Sequence, residues 1–296
     1  MVGPSSAVHV APDGERQGPP VLLVHGIGLG AWYFERDQRV LAQLGLESWA
    51  IDLPGHGPEA GRDARMGDCY DAVIAAVDTF DEPPAILGHS AGGLCAMVCA
   101  KERRLAALVL NGSVPCGEVF PYPTVAGLMA LRPALAALFR GRNLPLTRKS
   151  YVDTGLHLLA PEEQERVFAR IVSWPNGMVR DMLRRRPSVP RLDCPVLVTH
   201  GLRDGASSLY VSRLLADHFD CVLWRFDDLG HLPAVEPGGE RHCRAVGEWL
   251  LSPSPRMIRE IDGFRPDEGV GREARGQRAG DRVVRSDSRF GDRWKR

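Results

Sequence analysis

The chain reads as an α/β domain, a mostly parallel central sheet with helices on both faces, interrupted by a helical insertion. Three observations predict this. Runs such as Val21-Leu22-Leu23-Val24 and Ala85-Ile86-Leu87 are apolar without alternation, the pattern of strands buried on both faces of a parallel sheet. These runs alternate with helix-length segments, as a sheet covered on both sides requires. Between Ser113 and about Pro190 the strand pattern stops, and helical stretches broken by prolines replace it. The expected division is a core of 1–112 and 191–251, a helical cap insertion of 113–190 and a tail of 252–296.

In chain order, Ala7-Val8-His9-Val10 is the one strand candidate in a Pro- and Gly-rich start. Val21–Val24 follows and ends at His25-Gly26-Ile27-Gly28-Leu29-Gly30. Trp32–Leu44 offers Phe34, Val40, Leu41 and Leu44 to one helix face, and Gly45 closes it. Glu47–Asp52 is the next strand, Leu53–Pro58 a turn, and Asp68–Phe80 a helix burying Ala72, Val73, Ala76 and Val77. Ala85–Leu87 leads into Gly88-His89-Ser90-Ala91-Gly92, followed by a small-residue helix through Ala100. Leu105–Asn111 is another central strand. Within the insertion, Thr124–Phe139 (kinked at Pro133), Pro161–Trp174 and Asn176–Arg186 are helical. Pro161 and Glu162-Glu163 suit the first turn of the second of these. Strand character returns at Pro195–His200 and Cys221–Phe226, with helix Ser208–His218 between them and helix Arg241–Leu251 after them. From Ser252 apolar residues are sparse and without period, so the tail is expected to be disordered.

Hydrophobic residues fill 44% of the 296 positions, enough for a sizeable core. The 37 Lys and Arg balance 37 Asp and Glu, so the surface as a whole is not built for nucleic acid or an anionic membrane. No apolar run is long enough to span a bilayer. Met1–Gln17 lacks the basic-then-apolar pattern of a signal peptide. The seven cysteines form no Cys-X-X-Cys or zinc-like spacing, so buried, reduced thiols in a cytoplasmic protein without a metal are expected.

Gly-X-Ser-X-Gly between a strand and a helix is the context in which a serine hydroxyl is held out on a sharp turn. Glycine at 88 and 92 lets strand and helix approach without a Cβ. The helix that follows turns free N–H groups toward the place where an oxyanion would form. Ser90 is therefore the candidate nucleophile. It needs a base, itself oriented by a carboxylate. In parallel sheets such groups come from loops at the carboxyl ends of strands. His231, in Asp228-Leu229-Gly230-His231, follows the last core strand, and Asp204, in Gly201-Leu202-Arg203-Asp204, follows the strand before it. The oxyanion donors expected are the backbone N–H groups of Ala91 and Ile27. Competing residues read as structural: His242 as a surface position on the last helix, His25 and His56 as main-chain packing in glycine turns, Asp227 and Asp228 as solvent-facing. The Arg184-Arg185-Arg186 run reads as a solvated helix end, or as a contact for an anionic group near the insertion.

Val21–Gly30, Asp52-Leu53-Pro54-Gly55-His56-Gly57, Gly88–Gly93, Gly201–Asp204 and Gly230-His231 together resemble the α/β-hydrolase superfamily. The likeness is to its esterase, lipase and lactonase branch with a helical cap, and it covers about residues 7–251. Pro58 after Gly-His-Gly and Gly205 after Asp204 depart from the common pattern. The resemblance implies an eight-stranded sheet, with an outer strand in question given the short start, and a Ser90–His231–Asp204 triad. The reaction implied is hydrolysis of a carboxylic ester, thioester or lactone through an acyl-enzyme, with no cofactor. The same triad serves lyases and carbon–carbon bond hydrolases, and the scaffold can also serve as a non-catalytic small-molecule binder. A haloalkane dehalogenase is disfavoured because it needs an Asp at position 90. The Leu- and Ala-rich insertion, with Phe120, Tyr122, Phe139 and Trp174, points to a small-molecule substrate with an apolar acyl or alkyl group. Trp32, His89 and Trp174 are the expected substrate contacts, with buried packing the competing reading for Trp32.

Overall fold

The computed structural model describes residues 7–119, 147–184 and 186–254, and the backbone of 264–266. Its strands are β1 (Val8–Val10), β2 (Val21–Val24), β3 (Ser48–Ile51), β4 (Ala85–His89), β5 (Ala107–Asn111), β6 (Val196–Gly201), β7 (Val222–Phe226) and β8 (Phe264–Pro266). They form one sheet in the order β1-β3-β2-β4-β5-β6-β7-β8. The six strands from β3 to β7 in that order run parallel, and β1 and β8 pair antiparallel at the two edges.

Alternate residues of each central strand enter different layers. Leu22, Val24, Ile86, Leu108 and Leu110 join α2 (Met66–Val77), α3 (Ala91–Glu102) and the later helix α7 (Leu209–Phe219) on one face. Val21, Leu23, Leu87, Val109 and Leu197 join α1 (Glu35–Gln43) and the last helix, α8 (Gly239–Leu251), on the other. Burial on both sides is why these strands carry apolar runs in place of alternation. The Trp32–Leu44 helix begins as a tight 3₁₀ turn at Ala31–Phe34, where Asp52 Oδ1 accepts the Ala31 N–H at 2.8 Å, and continues as α1. Between β5 and β6 lie α4 (Arg148–Tyr151), running into a wide turn at Val152–Leu156, then α5 (Pro161–Phe168) and α6 (Asn176–Leu183). The expected helix Thr124–Phe139, with Phe120, Tyr122 and Phe139, lies outside the described residues.

Within 252–296, expected as a tail, residues 264–266 supply β8, whose register pairs Phe264 with Phe226 and Pro266 with Trp224, and residues 255–263 and 267–296 lie outside the described ones. Composition does not reveal this, because an open sheet edge presents backbone N–H and C=O groups that any extended segment can pair. His242 is not a surface residue. It is buried on α8, where its Nε2 lies 3.2 Å from Thr199 Oγ1 and its ring meets Phe226 edge-on at 4.9 Å. Asp227 and Asp228 are exposed, as expected.

The turn after β4 depends on missing side chains. A Cβ at Gly88 would stand 2.7 Å from Gly93 Cα, and one at Gly92 would overlap the carbonyl oxygens of Val24 and His25. Both neighbours are backbone and cannot swing aside. Gly92→Ala should therefore cost ~1–3 kcal/mol, the usual range for overpacking. Gly67, in the first turn of α2, has nothing within 4 Å of an added Cβ. Gly67→Ala should gain about 0.5 kcal/mol from helix propensity. Urea unfolding of the two variants checks the contrast; equal midpoints would refute the close-approach account.

Candidate active site

The carboxyl ends of β2, β4, β5, β6 and β7 are brought level by the register, which sets Val24 beside Gly88, His89 beside Asn111, Asn111 beside Thr199, and Gly201 beside Phe226. The loops that leave them meet around a cavity of about 720 Å³.

Ser90 opens into this cavity with φ 51° and ψ −118°, one of two non-glycine residues at positive φ among those described. Such a conformation costs on the order of 1–3 kcal/mol and survives only where its surroundings hold it. Here they do. The Ser90 N–H donates to Asn111 O, and Ser90 O accepts from Val114 N and Gly93 N, each at 3.0 Å. Gly26 lies close on the other side, where a Cβ would stand 2.9 Å from Ser90 Cβ.

His231 lines the same cavity, and its Nδ1 donates to Asp204 Oδ2 at 2.8 Å. The Asp204 carboxylate is buried, with 1% of its side chain exposed. It accepts three further bonds: from the Ala206 and Ser207 amides at 2.7 Å each, and from the Ser207 hydroxyl at 2.5 Å. Burial raises the pKa of this carboxyl, but His231 and the Ser207 donors outweigh it and hold Asp204 well below the carboxylate range. Gly112, at φ 51°, leaves room for the pair; its Cβ would stand 3.3 Å from Asp204 Oδ2 and 3.4 Å from His231 Nδ1.

Glu236 holds the His231 loop. Fully buried, it accepts the Gly230 N–H at 2.6 Å and the Leu232 N–H at 2.9 Å, one on either side of the histidine. Burial raises its pKa, and the two amides temper the rise. His89 donates from Nε2 to the His231 carbonyl at 2.7 Å, with the two rings 4.8 Å apart. It also lines the cavity, so the expected substrate contact doubles as a support for His231. Sequence reading missed Ser207 and Glu236. An aspartate commonly binds the amide two residues on, here Ala206, which brings Ser207 next to the carboxylate, and that was the one available signal.

The turn after β2 is fixed by two neutral histidines. His25 donates from Nδ1 to Gly26 O at 2.7 Å and accepts the Leu53 N–H at Nε2 at 3.0 Å. His56 donates to Pro54 O at 3.0 Å and accepts the Gly28 N–H at 2.9 Å. This bears out their reading as main-chain packing. Within the turn, Ile27 lines the cavity, and Ala91, directly after Ser90, is the first residue of α3. No acceptor among the described residues takes either of their N–H groups.

Trp174 lines the cavity and donates to the Tyr151 hydroxyl at 2.8 Å. Trp32 does not line it. Its ring lies under the Arg170 guanidinium, 4.6 Å from the centroid, a packing position.

Burial, with His56 nearby, lowers the pKa of His25 to about 3; burial, with Arg36 and Arg241 nearby, does the same to His242. Unfolded, each takes up a proton near ~6.5. Their contribution to stability is complete above ~6.5 and is lost as pH falls toward 3. Asp37, raised by burial to about 7, acts in the opposite sense, its contribution fading as pH rises. The histidines prevail, and the melting temperature should fall steadily from pH 7 to pH 4. His242→Asn, remote from the cavity, should flatten that slope; an unaltered slope would refute the assignment.

The family model described as "Alpha/beta hydrolase family" matches residues 21–241. The chain is 27% identical over 254 residues to a pimeloyl-[acyl-carrier protein] methyl ester esterase of Chromobacterium violaceum, covering 79% of this chain and 95% of that one. It is 27% identical over 264 residues to a monoacylglycerol lipase of Mycolicibacterium smegmatis, covering 81% and 90%. A solved esterase of Thermogutta terrifontis superposes with a TM-score of 0.66 at 24% identity, covering 83% and 98%, and supports the fold.

Proposed function

The chain belongs to the alpha/beta hydrolase family, and from that membership we propose that it is a serine hydrolase of carboxylic esters. One observation carries the reading: a serine held at positive φ opens into the same cavity as a histidine already paired with a buried carboxylate. The names of both sequence relatives, esterase and lipase, support the same reaction class.

In this reading Ser90 Oγ attacks the ester carbonyl carbon while His231 takes the hydroxyl proton at Nε2. Nδ1 is already committed to Asp204, which fixes the ring and stabilises the imidazolium. The carbonyl oxygen becomes an oxyanion held by the Ile27 and Ala91 N–H groups, an interaction whose loss costs ~3–4 kcal/mol per donor. His231 then protonates the leaving alcohol, which departs and leaves an acyl-serine. Water, deprotonated by the same histidine, attacks that acyl group and releases the acid. Thioesters and lactones present the same carbonyl. The 147–184 segment, which supplies Tyr151, Thr154, Gly155, Trp174 and Met182 to the cavity wall, acts as a cap that selects the substrate.

Ser90→Ala should keep the fold, abolish labelling by a fluorophosphonate and lower ester turnover by at least ~10⁴-fold. Turnover of nitrophenyl esters at the parental rate would refute the nucleophile. Trp174→Ala should reorder preference among acyl chain lengths by ~1–3 kcal/mol while Ser90 stays reactive toward a small phosphonate. A panel of nitrophenyl esters checks this. Equal loss on every ester, with slowed labelling, would show that the wall helps to build the catalytic centre.

A further inference from the structure

Three metal-ligating side chains meet away from the cavity, where the chain returns from the insertion to the core. The loop after β5 passes through Cys116 into a 3₁₀ turn at Gly117–Val119, which carries Glu118. His218 comes from the last turn of α7. A sulfur, a carboxylate oxygen and an imidazole nitrogen, one from each, lie within 4.8 Å of one another. Around a bound zinc, metal–sulfur and metal–nitrogen lengths of about 2.3 and 2.0 Å set such atoms roughly 3.5 Å apart. Small side-chain rotations therefore close the set. Spacing along the chain hides it, because His218 reaches the other two from a distant helix.

The segment after α6 orients these groups. Gly117 N–H donates to Pro187 O at 2.8 Å, and Glu118 accepts from the Val189 N–H at 3.0 Å and from the Ser188 hydroxyl. Each carboxylate oxygen keeps a second lone pair, so these donors aim Glu118 without exhausting it. His218 donates from Nε2 to Val189 O at 2.8 Å, which leaves Nδ1 its lone pair. A ring N–H on a backbone carbonyl is the usual support of a ligating histidine. Cys116 is fully buried and its thiol donates to Glu118. Burial, with the Glu118 charge beside it, raises that thiol to about 12, and a bound cation would take the place of its proton. Arg186, expected as part of a solvated helix end, is half-buried on the same segment and lines the Ser90 cavity.

We propose that Cys116, Glu118 and His218 bind a divalent cation of the zinc class, which clasps residues 186–189 to the loop after β5 and to α7. The thiol proton leaves to solvent as the sulfur–metal bond forms, about one proton per metal, and water fills the fourth position. Thiolate and imidazole favour zinc over magnesium or calcium, which take oxygen ligands. None of the three side chains lines the Ser90 cavity, so the role is structural and independent of the ester-hydrolase reading.

The test titrates the full chain, reduced and freed of metal by a chelator, with zinc chloride and separately with cobalt chloride. The parent should take up about one equivalent of zinc with a rise in melting temperature. Calorimetry in two buffers of different ionisation enthalpy should show about one proton released per metal. Cobalt should give the near-ultraviolet charge-transfer band of a thiolate ligand. Cys116→Ser should abolish that band, and Cys116→Ser and His218→Asn should each weaken zinc by at least about tenfold. Cys194→Ser, which removes the one cysteine that is not buried, should leave band and affinity unaltered. If Cys116→Ser does not fold, His218→Asn and the parental band decide the matter. A parent without stoichiometric zinc or without the band, or affinity unaltered in His218→Asn, would overturn the site. Fluorophosphonate labelling of Ser90, run in parallel, reports on the hydrolase reading separately.

Discussion

The close approach of backbone to backbone around Ser90 is the constraint on which the site depends. α3 must start directly at the end of β4 while lying against the end of β2. That is possible because residue 92 adds nothing between its own Cα and the carbonyls of Val24 and His25. Gly88 faces Gly93 in the same way, and Gly93 faces Ser113. The strain at Ser90 follows from this geometry, and three backbone hydrogen bonds to β5, α3 and the segment after β5 hold it in place. Each such bond contributes about 1 kcal/mol, enough together to sustain one residue in a sparsely populated region. The result is a hydroxyl presented to the cavity by rigid elements.

Neutral imidazoles supply the next layer of order. His25 and His56 each bridge main-chain groups from separate loops, His89 holds the His231 carbonyl from one nitrogen, and burial lowers the proton affinity of all three. A neutral ring can donate at one nitrogen and accept at the other, which suits it to join an N–H of one loop to a C=O of the next. His25 and His56 do this around the Gly26–Gly28 turn, and His89 supports the loop of His231. Carboxylates play the acceptor role at the far loops: Glu236 on either side of His231, and Asp204 between His231 and Ser207. A charged acceptor inside the fold requires several donors to balance its desolvation, and both acids have them.

The parts of this arrangement legible in the sequence were those dictated by local pattern. Val21–Val24 and Ala85–Leu87 announced buried parallel strands because nothing polar interrupts them. Ser90, Asp204 and His231 could be placed because each sits just past a strand, where a parallel sheet gathers its loops. Long-range packing was not legible. His242 sits among polar neighbours on α8, and its inward face is set by the angle at which that helix meets Phe226 and Thr199. Glu236 carries no signal in the sequence, because the two amides it binds are brought to it by the loop's fold alone. The pairing of Phe264–Pro266 with β7 depends on an edge left open by the rest of the sheet.

Chemistry and recognition are distributed differently along the chain, yet they meet at one turn. The groups of the proposed mechanism come from the ends of β2, β4, β6 and β7, whereas much of the facing wall comes from 151–186. Between that wall and the core run two exposed ion pairs, Arg170–Glu35 and Arg65–Asp181, of a kind worth ~0–1 kcal/mol each. The wall is also packed into the core, Met178 and Val179 in one hydrophobic cluster and Tyr151, Leu156 and Val167 in the other. At Gly28 the separation narrows. This residue, at φ 82°, packs directly beneath the Tyr151 hydroxyl and Trp174 Nε1, and its carbonyl accepts the Val172 N–H at 2.9 Å. Its own N–H is the one bonded to His56. The peptide next to Ile27 is thus packed against Tyr151 and Trp174 on one side and bonded to His56 on the other.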